Sequence, residues 1–445
     1  MSQRGRLRRA SFRSRSLRRR GGTANGRRIE EKASNKEEYA RRLRLIPSVN
    51  ADRFLMAGRL RLFFFLLFVS YGAFLPFFPT WLSARGVRGV EMSALMALGP
   101  ALGVLGPPAF GALSDWLGLR AGLLRIATAG GLLAMLLLAV PGALGAEPAL
   151  PLLFVAMLLF STSRAPAVAM TDVIAVETAQ IIGPDGKTRS YGSIRLAGSL
   201  GFMVSALVVG RALDVRALAP LPLLLVVSSL VTFGVSFALN AKAPPRAQKL
   251  KEPLGRLLRD RAFVMLLLSA FIGFGAHSSY DICFSLHVQK LGVGADWVGL
   301  AWAIGTLAET GLFAWSGRLL GSGPVSRWLV VAFAGGAVRW ALIATVRNTP
   351  LLLALQPLHA VSFALFWVTS IELVRRLSPK EILATAQGVF NAAVGGGAVV
   401  GMLVWGTVFE RYGGAVTFAW ASAAAGCAAL AAAGTAGRAS RPEVL

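Results

Sequence analysis

Nine ionisable side chains interrupt the long apolar stretches of this 445-residue sequence: Arg125, Arg164, Asp172, Arg195, His277, Asp281, Glu309, Arg339 and His359. Carboxylates, imidazoles and guanidinium groups in apolar surroundings can pass protons, pair with one another or hold a charged solute. Inside a bilayer such groups are costly unless paired or hydrated, and by default they mark a pathway or a relay. His is the side chain most easily moved across its titration near neutral pH. A chain with His, Glu and Arg at depth is therefore equipped to couple protons to the movement of a solute.

The elements that position these groups must cross a membrane. The chain is 55% hydrophobic and 15% charged, with a mean hydropathy of +0.61, against about 25% charge in an ordinary soluble domain. At ~20 apolar residues per crossing, the runs resolve into twelve spans near 60–83, 92–113, 122–141, 150–173, 191–211, 218–239, 262–287, 296–316, 328–346, 350–373, 384–409 and 415–433. The expectation is an all-α membrane protein of two six-helix bundles, with no room for a large soluble domain. Its parts are a basic disordered cytoplasmic tail (1–59), an N-terminal bundle (60–239), a cytoplasmic linker (240–261), a C-terminal bundle (262–433) and a second cytoplasmic tail (434–445).

The formal net charge of +26 is unevenly spread: Met1–Arg61 holds 19 Lys and Arg against 5 Asp and Glu. This Arg- and Ser-rich tail cannot bury enough surface to offset the entropy of ordering it. Beside a membrane it reads as a topology determinant attracted to anionic lipid, not as a nucleic-acid arm. Met56 opens "MAGRLRLFFFLLF", an ordinary start for a membrane protein, which makes residues 1–55 a candidate over-long reading frame. The first apolar run follows about sixty polar residues and is long enough to span, unlike a secretory signal. The tail, the linker (seven Lys and Arg in Asn240–Arg261) and Arg375–Lys380 all fall on one side if both termini are cytoplasmic, as the positive-inside rule prefers. Cys283 and Cys427 lie in apolar runs, against a disulfide framework or thiolate metal site.

Transporters commonly consist of two related halves. "YGSIRLAGSLG" (Tyr191–Gly201) aligns with "QGVFNAAVGGG" (Gln387–Gly397), pairing Gly192 with Gly388, Arg195 with Asn391 and Gly201 with Gly397; at the same offset Gly210 pairs with Gly406 and Asp214 with Glu410. The fifth span thus matches the eleventh. Counting 1.5 Å per residue, Asp172 and Arg195 each lie ~7–8 Å from the cytoplasmic boundary, at a depth that permits pairing, by binding substrate or as a structural ion pair. Glu309 lies ~18 Å down its span, Arg339 ~16 Å up the next and His359 ~14 Å down the one after, so carboxylate, guanidinium and imidazole can converge near the midplane. Glu309 is the first choice as proton carrier, its proton affinity set by burial and by the nearness of Arg339. His277 and Asp281 share a helix face at i, i+4: a hydrogen-bonded structural pair first, an outer-gate or substrate contact second, and too few ligands for a metal. Arg125 is one turn into its span, where it can snorkel; Arg164 is deeper, without an assigned role. Pro76, Pro79, Pro100, Pro107 and Pro108 are expected to kink the first two spans. Gly395–Gly397, Gly401 and Gly406 allow close approach by the eleventh. Tyr71, Phe74, Phe78, Trp81, Phe363 and Trp367 line either a ring-binding cavity or the lipid interface.

Between the second and third spans stands "GALSDWLGLR", with Gly111, Asp115, Gly118 and Arg120. A carboxylate at one helix end, a tight turn and an Arg opening the next helix can clamp a cytoplasmic gate. The loop resembles the signature of the major facilitator superfamily, and "GRLLG" (Gly317–Gly321) is a degenerate copy without the acid. "YGAFLPFFPTWL" (Tyr71–Leu82), "TD" (Thr171, Asp172), "YGSIRLAGS" (Tyr191–Ser199), "GAHSSYD" (Gly275–Asp281), "AVRW" (Ala337–Trp340) and "LQPLH" (Leu355–His359) resemble the phenylpropionate-permease branch, relatives of lactose-permease-like proton symporters. The resemblance implies the major facilitator fold and proton-coupled uptake, a substrate role for Asp172 and Arg195, and a charge-pairing position at Tyr280–Asp281. Ser362 stands where the lactose-permease-like pattern has a second acid.

The expected function is proton-coupled symport of a small organic solute by alternating access in a bacterial-type inner membrane, with an aromatic carboxylate ahead of a sugar or nucleoside. A proton-coupled efflux antiporter is the alternative, and a transport-incompetent receptor or assembly factor the second. An enzyme is not expected, since no nucleotide-binding loop, nucleophile elbow or metal cluster is visible. The only coupling ion is the proton, with no other cofactor. Partners are the solute, protons and lipid, with no nucleic acid, and the chain is expected to be a monomer.

Overall fold

Backbone in lipid has no water to bond, so each crossing must satisfy its own N–H and C=O groups as a helix. The structure, a computed structural model, describes residues 55–117, 120–179, 191–213, 220–239, 254–320, 324–379 and 382–436. The basic tail as far as Phe54, Asn240–Pro253 of the linker, Gly118 and the residues after Ala436 lie outside the described residues. The first six helices are α1 (Leu55–Ala84), α2 (Gly89–Leu117), α3 (Arg120–Ala143), α4 (Leu150–Ala179), α5 (Tyr191–Ala212) and α6 (Leu221–Ser236). Next come α7 (Arg261–Ser279, continued by a π-helical turn at Tyr280–Phe284 and by Ser285–Lys290), α8 (Ala295–Leu320) and α9 (Val325–Thr345). α10 is built from Thr349–Ala354, a π-helical turn at Ala360–Leu365 and Phe366–Leu377. The helix Leu383–Ala433 is divided at Gly413 (φ 78°, ψ 176°) into α11 before it and α12 after. Among the described residues this makes twelve apolar helices, as the hydropathy pattern predicts.

Helix ends follow local chemistry. The Asp260 carboxylate caps α7, accepting from the backbone N–H groups of Ala262 (2.9 Å) and Phe263 (3.4 Å), and Asn348 caps α10 by accepting from Leu351 N–H at 3.0 Å. α1 and α2 continue as helix through Pro76, Pro79, Pro100, Pro107 and Pro108. Irregular turns also lie in α7 and α10, beside the ionisable residues, where α10 is interrupted at Leu355–Pro357 as well. Phe74, Phe78 and Trp81 belong neither to a cavity wall nor to a lipid belt. They are buried and stacked on one another in the core, with ring centroids 4.5 and 5.5 Å apart.

The internal repeat is visible as packing. A Cβ on Gly201 of α5 would meet the Phe65 carbonyl of α1, and one on its counterpart Gly397 of α11 would meet the Phe271 carbonyl of α7. Further along, Gly210 of α5 faces Ala295 and Gly299 at the start of α8, while Gly406 of α11 faces Gly89 and Ser93 at the start of α2. The two contacts join the first six helices to the last six at the end that carries the α1–α2 and α7–α8 turns. A Cβ on Gly299 would meet the carbonyl oxygen of Ala206, so any larger residue must push α5 from α8. Gly299→Leu is accordingly expected to open this end. In a background without the native cysteines, a single cysteine at Val209, a buried position, should be alkylated at least tenfold faster. An unchanged rate would show that the leucine is absorbed without separating the helices.

Candidate functional site

Arg339 sits midway along α9 with 0% of its surface exposed. A guanidinium has five N–H donors and no acceptor, so burial obliges its neighbours to accept. Nη1 donates to His359 Nδ1 at 3.1 Å and to Ser362 Oγ at 3.3 Å, and Nη2 donates to Gln356 Oε1 at 3.0 Å. The same Gln356 oxygen accepts from the Tyr280 hydroxyl at 3.0 Å, while Gln356 Nε2 is anchored on the Leu352 carbonyl at 2.8 Å. The guanidinium carbon lies 4.4 Å from the ring centre of Tyr280 and 4.6 Å from that of Trp340. Among the described residues no carboxylate comes within ion-pair distance of Arg339, and its Nε has no hydrogen-bond partner.

This arrangement fixes the proton on His359. Because the guanidinium can only donate, Nδ1 must offer a lone pair, and the neutral ring carries its proton on Nε2. That nitrogen lies 3.5 Å from Glu309 Oε2 on α8. Phe363 stacks on the imidazole, with centroids 5.1 Å apart and planes 11° from parallel, and holds the ring in place. Glu309, His359 and Arg339 thus do converge, but with the imidazole between carboxylate and guanidinium instead of a direct Glu–Arg contact.

His277 belongs to the same cluster through its ring, packed against Phe363, His359, Phe274 and Trp340 at 5.2–5.7 Å. The expected hydrogen-bonded pair with Asp281 is not formed: no hydrogen bond or ion pair joins the two in the described structure. The π-helical turn begins at Tyr280, and its wider winding removes the i, i+4 alignment that an α-helix would give. Asp281 instead lies within electrostatic reach of Arg339.

In the first half, Asp172 Oδ1 accepts a 2.8 Å hydrogen bond from the Tyr191 hydroxyl and lies 3.8 Å from Arg195 Nε. The guanidinium of Arg195 rests over the Phe68 ring at 4.1 Å. Equal depth brings the charges together, while the shorter contact goes to tyrosine. Arg195 also acts electrostatically on Glu309 across the two halves. Gly111 and Asp115 fall on α2 and Arg120 opens α3; the side chains of this loop lie outside the described residues.

Tyr280, Gln356 and Tyr191 are the site residues that a search for charges passes over. Each stands next to or near an ionisable residue in the motifs quoted above, and a neutral Gln inside an apolar run was the available signal. Removing its oxygen strands two buried donors, at roughly 1–3 kcal/mol each. Gln356→Leu should therefore lower the thermal midpoint of the purified protein by several degrees. A midpoint equal to that of the parent would show that Arg339 and Tyr280 find other acceptors.

The chain matches the MFS_1 like family over residues 58–420. It is 29% identical over 367 residues to a maltose permease of Geobacillus stearothermophilus, covering 79% of this chain and 87% of that one. It is 27% identical over 357 residues to a probable 3-phenylpropionic acid transporter of Escherichia coli, covering 79% and 91%. Its fold is shared with a crystal structure of a mutant of the nucleoside transporter NupG, with a TM-score of 0.74 at 16% identity over 85% of this chain and 99% of that one. The twelve-helix architecture, the two-fold packing and the family match agree: the chain belongs to the MFS_1-like family and is a multi-pass secondary transporter of the major facilitator type, not an enzyme.

Proposed function

We propose that this transporter takes up a small aromatic carboxylate together with protons, by alternating access in a bacterial inner membrane with both termini cytoplasmic. The observation that carries this reading is the position of His359, between Glu309 and a sealed Arg339. A second proton on the imidazole would turn Nδ1 into a donor facing a donor and break the contact to Arg339. A proton on Glu309 would remove the negative charge on the other side of the ring. The contacts that tie α8, α9 and α10 together therefore depend on where a proton resides, which is the property a coupling element needs. Arg339 has no carboxylate within ion-pair distance among the described residues, an arrangement that supports an anionic solute. The rings of Tyr280, Trp302, Trp340 and Phe363 around it favour an aromatic body, consistent with the name of one relative.

The test is accumulation in proteoliposomes. Under an inward proton gradient, 3-phenylpropionate should accumulate and be released by a protonophore, while maltose and uridine should not accumulate. Uptake indifferent to the gradient would overturn proton coupling, and preference for either other solute would overturn the substrate class. Glu309→Gln should abolish accumulation while retaining exchange of internal for external solute; accumulation at the parental level would remove Glu309 from the pathway. Asp172 and Arg195 form a compensating pair in this reading, because a single change strands the partner's charge. Asp172→Asn and Arg195→Gln should each lower the uptake rate at least tenfold, with partial recovery in the double variant. A double variant as inactive as either single one would instead assign both groups to direct substrate contact.

A further inference from the structure

Arg164 is a second guanidinium at bilayer depth, and none of the contacts above uses it. It lies midway along α4, ~21 Å from Leu150 at 1.5 Å per residue, and its guanidinium carbon is 4.0 Å from the ring centre of Tyr71 on α1. Among the described residues it makes no ion pair and no hydrogen bond. Asp172, two turns further along the same helix, is engaged by Tyr191 and Arg195. Unlike the sealed Nε of Arg339, the nitrogens of Arg164 are not closed off. They border a recess of about 40 Å³ between α1, α3, α4 and α6, lined by Ser70, Tyr71, Thr128, Phe160 and Ser163 beside Arg164 itself, with room for a carboxylate group and not for a whole aromatic acid. No acidic side chain lines it. The Ser163 hydroxyl makes no hydrogen bond with any described residue, whereas Ser70 donates to Ser228 and Thr128 to its own helix backbone.

A charge without a counter-charge at this depth calls for an anion, and a planar guanidinium with an adjacent free hydroxyl matches a carboxylate. From Tyr71 a row of rings leads to the second half: Phe202 at 6.2 Å, then Trp302 at 6.0 Å, then Tyr280 at 4.7 Å, which lies under Arg339. Phe202, Trp302 and Tyr280 are buried and packed on one another, so the row links the Arg164 recess to the proton-dependent cluster through side-chain contact.

Resting on the aromatic-acid reading above, we propose that Arg164, assisted by Ser163, is the docking group for the carboxylate of the transported acid, in the recess between α1, α3, α4 and α6. The test measures binding to the full chain in nanodiscs, with 3-phenylpropionate and its uncharged amide as probes. The parent should bind the acid, and Arg164→Gln should bind it at least tenfold more weakly. Arg164→Lys should fall between, since an ammonium keeps the charge but not the planar fork. The amide should bind the parent and Arg164→Gln equally. If the parent binds the acid and Arg164→Gln binds it as tightly, this docking site is overturned and the aromatic-acid reading stands. If the parent itself does not bind the acid, that reading falls and this inference with it. Should Arg164→Gln fail to fold, Arg164→Lys and Ser163→Ala decide: severalfold weaker binding of the acid supports the site, and undiminished binding by both overturns it.

Discussion

A donor-only cation sealed in an apolar interior is the constraint around which the second half is organised. Every nearby polar group of Arg339 has to present an acceptor, and this demand chooses the tautomer of His359, orients the amide of Gln356 and gives Ser362 its role. Tyr280 and Trp340 cover the guanidinium as aromatic faces, which suit a weakly hydrated planar cation. Three helices, α7, α9 and α10, are bound to one side chain in consequence. Glu309 reaches that group through the imidazole, so α8 joins it without placing an anion against the guanidinium.

The contacts at the α1–α2 end show how such a cluster is held without being locked. Helix pairs α5–α8 and α11–α2 meet through glycines placed by the internal duplication, backbone close to backbone, with larger side chains such as Phe202 and Trp302 packed alongside. In lipid, close approach of this kind is favoured by dispersion and weak polar contacts, not by the expulsion of water. Glu309 on α8 and the Tyr191–Arg195 part of the first-half group on α5 lie away from these glycine contacts, further along the same helices.

Much of this was legible in the sequence. Twelve apolar runs foretold the helices, and the offset that pairs Gly201 with Gly397 and Gly210 with Gly406 identified positions that occupy matching contacts in space. Depth arithmetic brought Glu309, Arg339 and His359 together, and Asp172 with Arg195. What it did not contain was direction around the helix axis. Counting residues places His359 at the right level, but only the side-chain geometry shows that it faces both Glu309 and Arg339. The same limit explains the missed Tyr191 and Gln356, whose importance comes from which donor or carboxylate they face. His277 and Asp281 failed for a related reason: the i, i+4 rule assumes α-helical winding, and that winding stops at Tyr280. The π-helical turns of α7 and α10 carry no proline inside them and so gave no signal in the sequence, although Pro357 marks the break in α10 just before its own.

Those two turns carry one consequence of their own. A π-helical turn contains about one residue more than an α-helical turn over nearly the same length, so each acts as a reserve of slack wound into an otherwise taut rod. Releasing it would advance the following segment by ~1.5 Å and rotate it by ~100° without breaking the helix. In α10 the reserve begins directly after His359 and contains Ser362 and Phe363; in α7 it contains Tyr280 and Asp281. The residues that face Arg339 are thus mounted on, or immediately beside, the portions of backbone whose winding can change most cheaply. The rest of each rod can keep its place in the bundle while the face presented to the guanidinium turns.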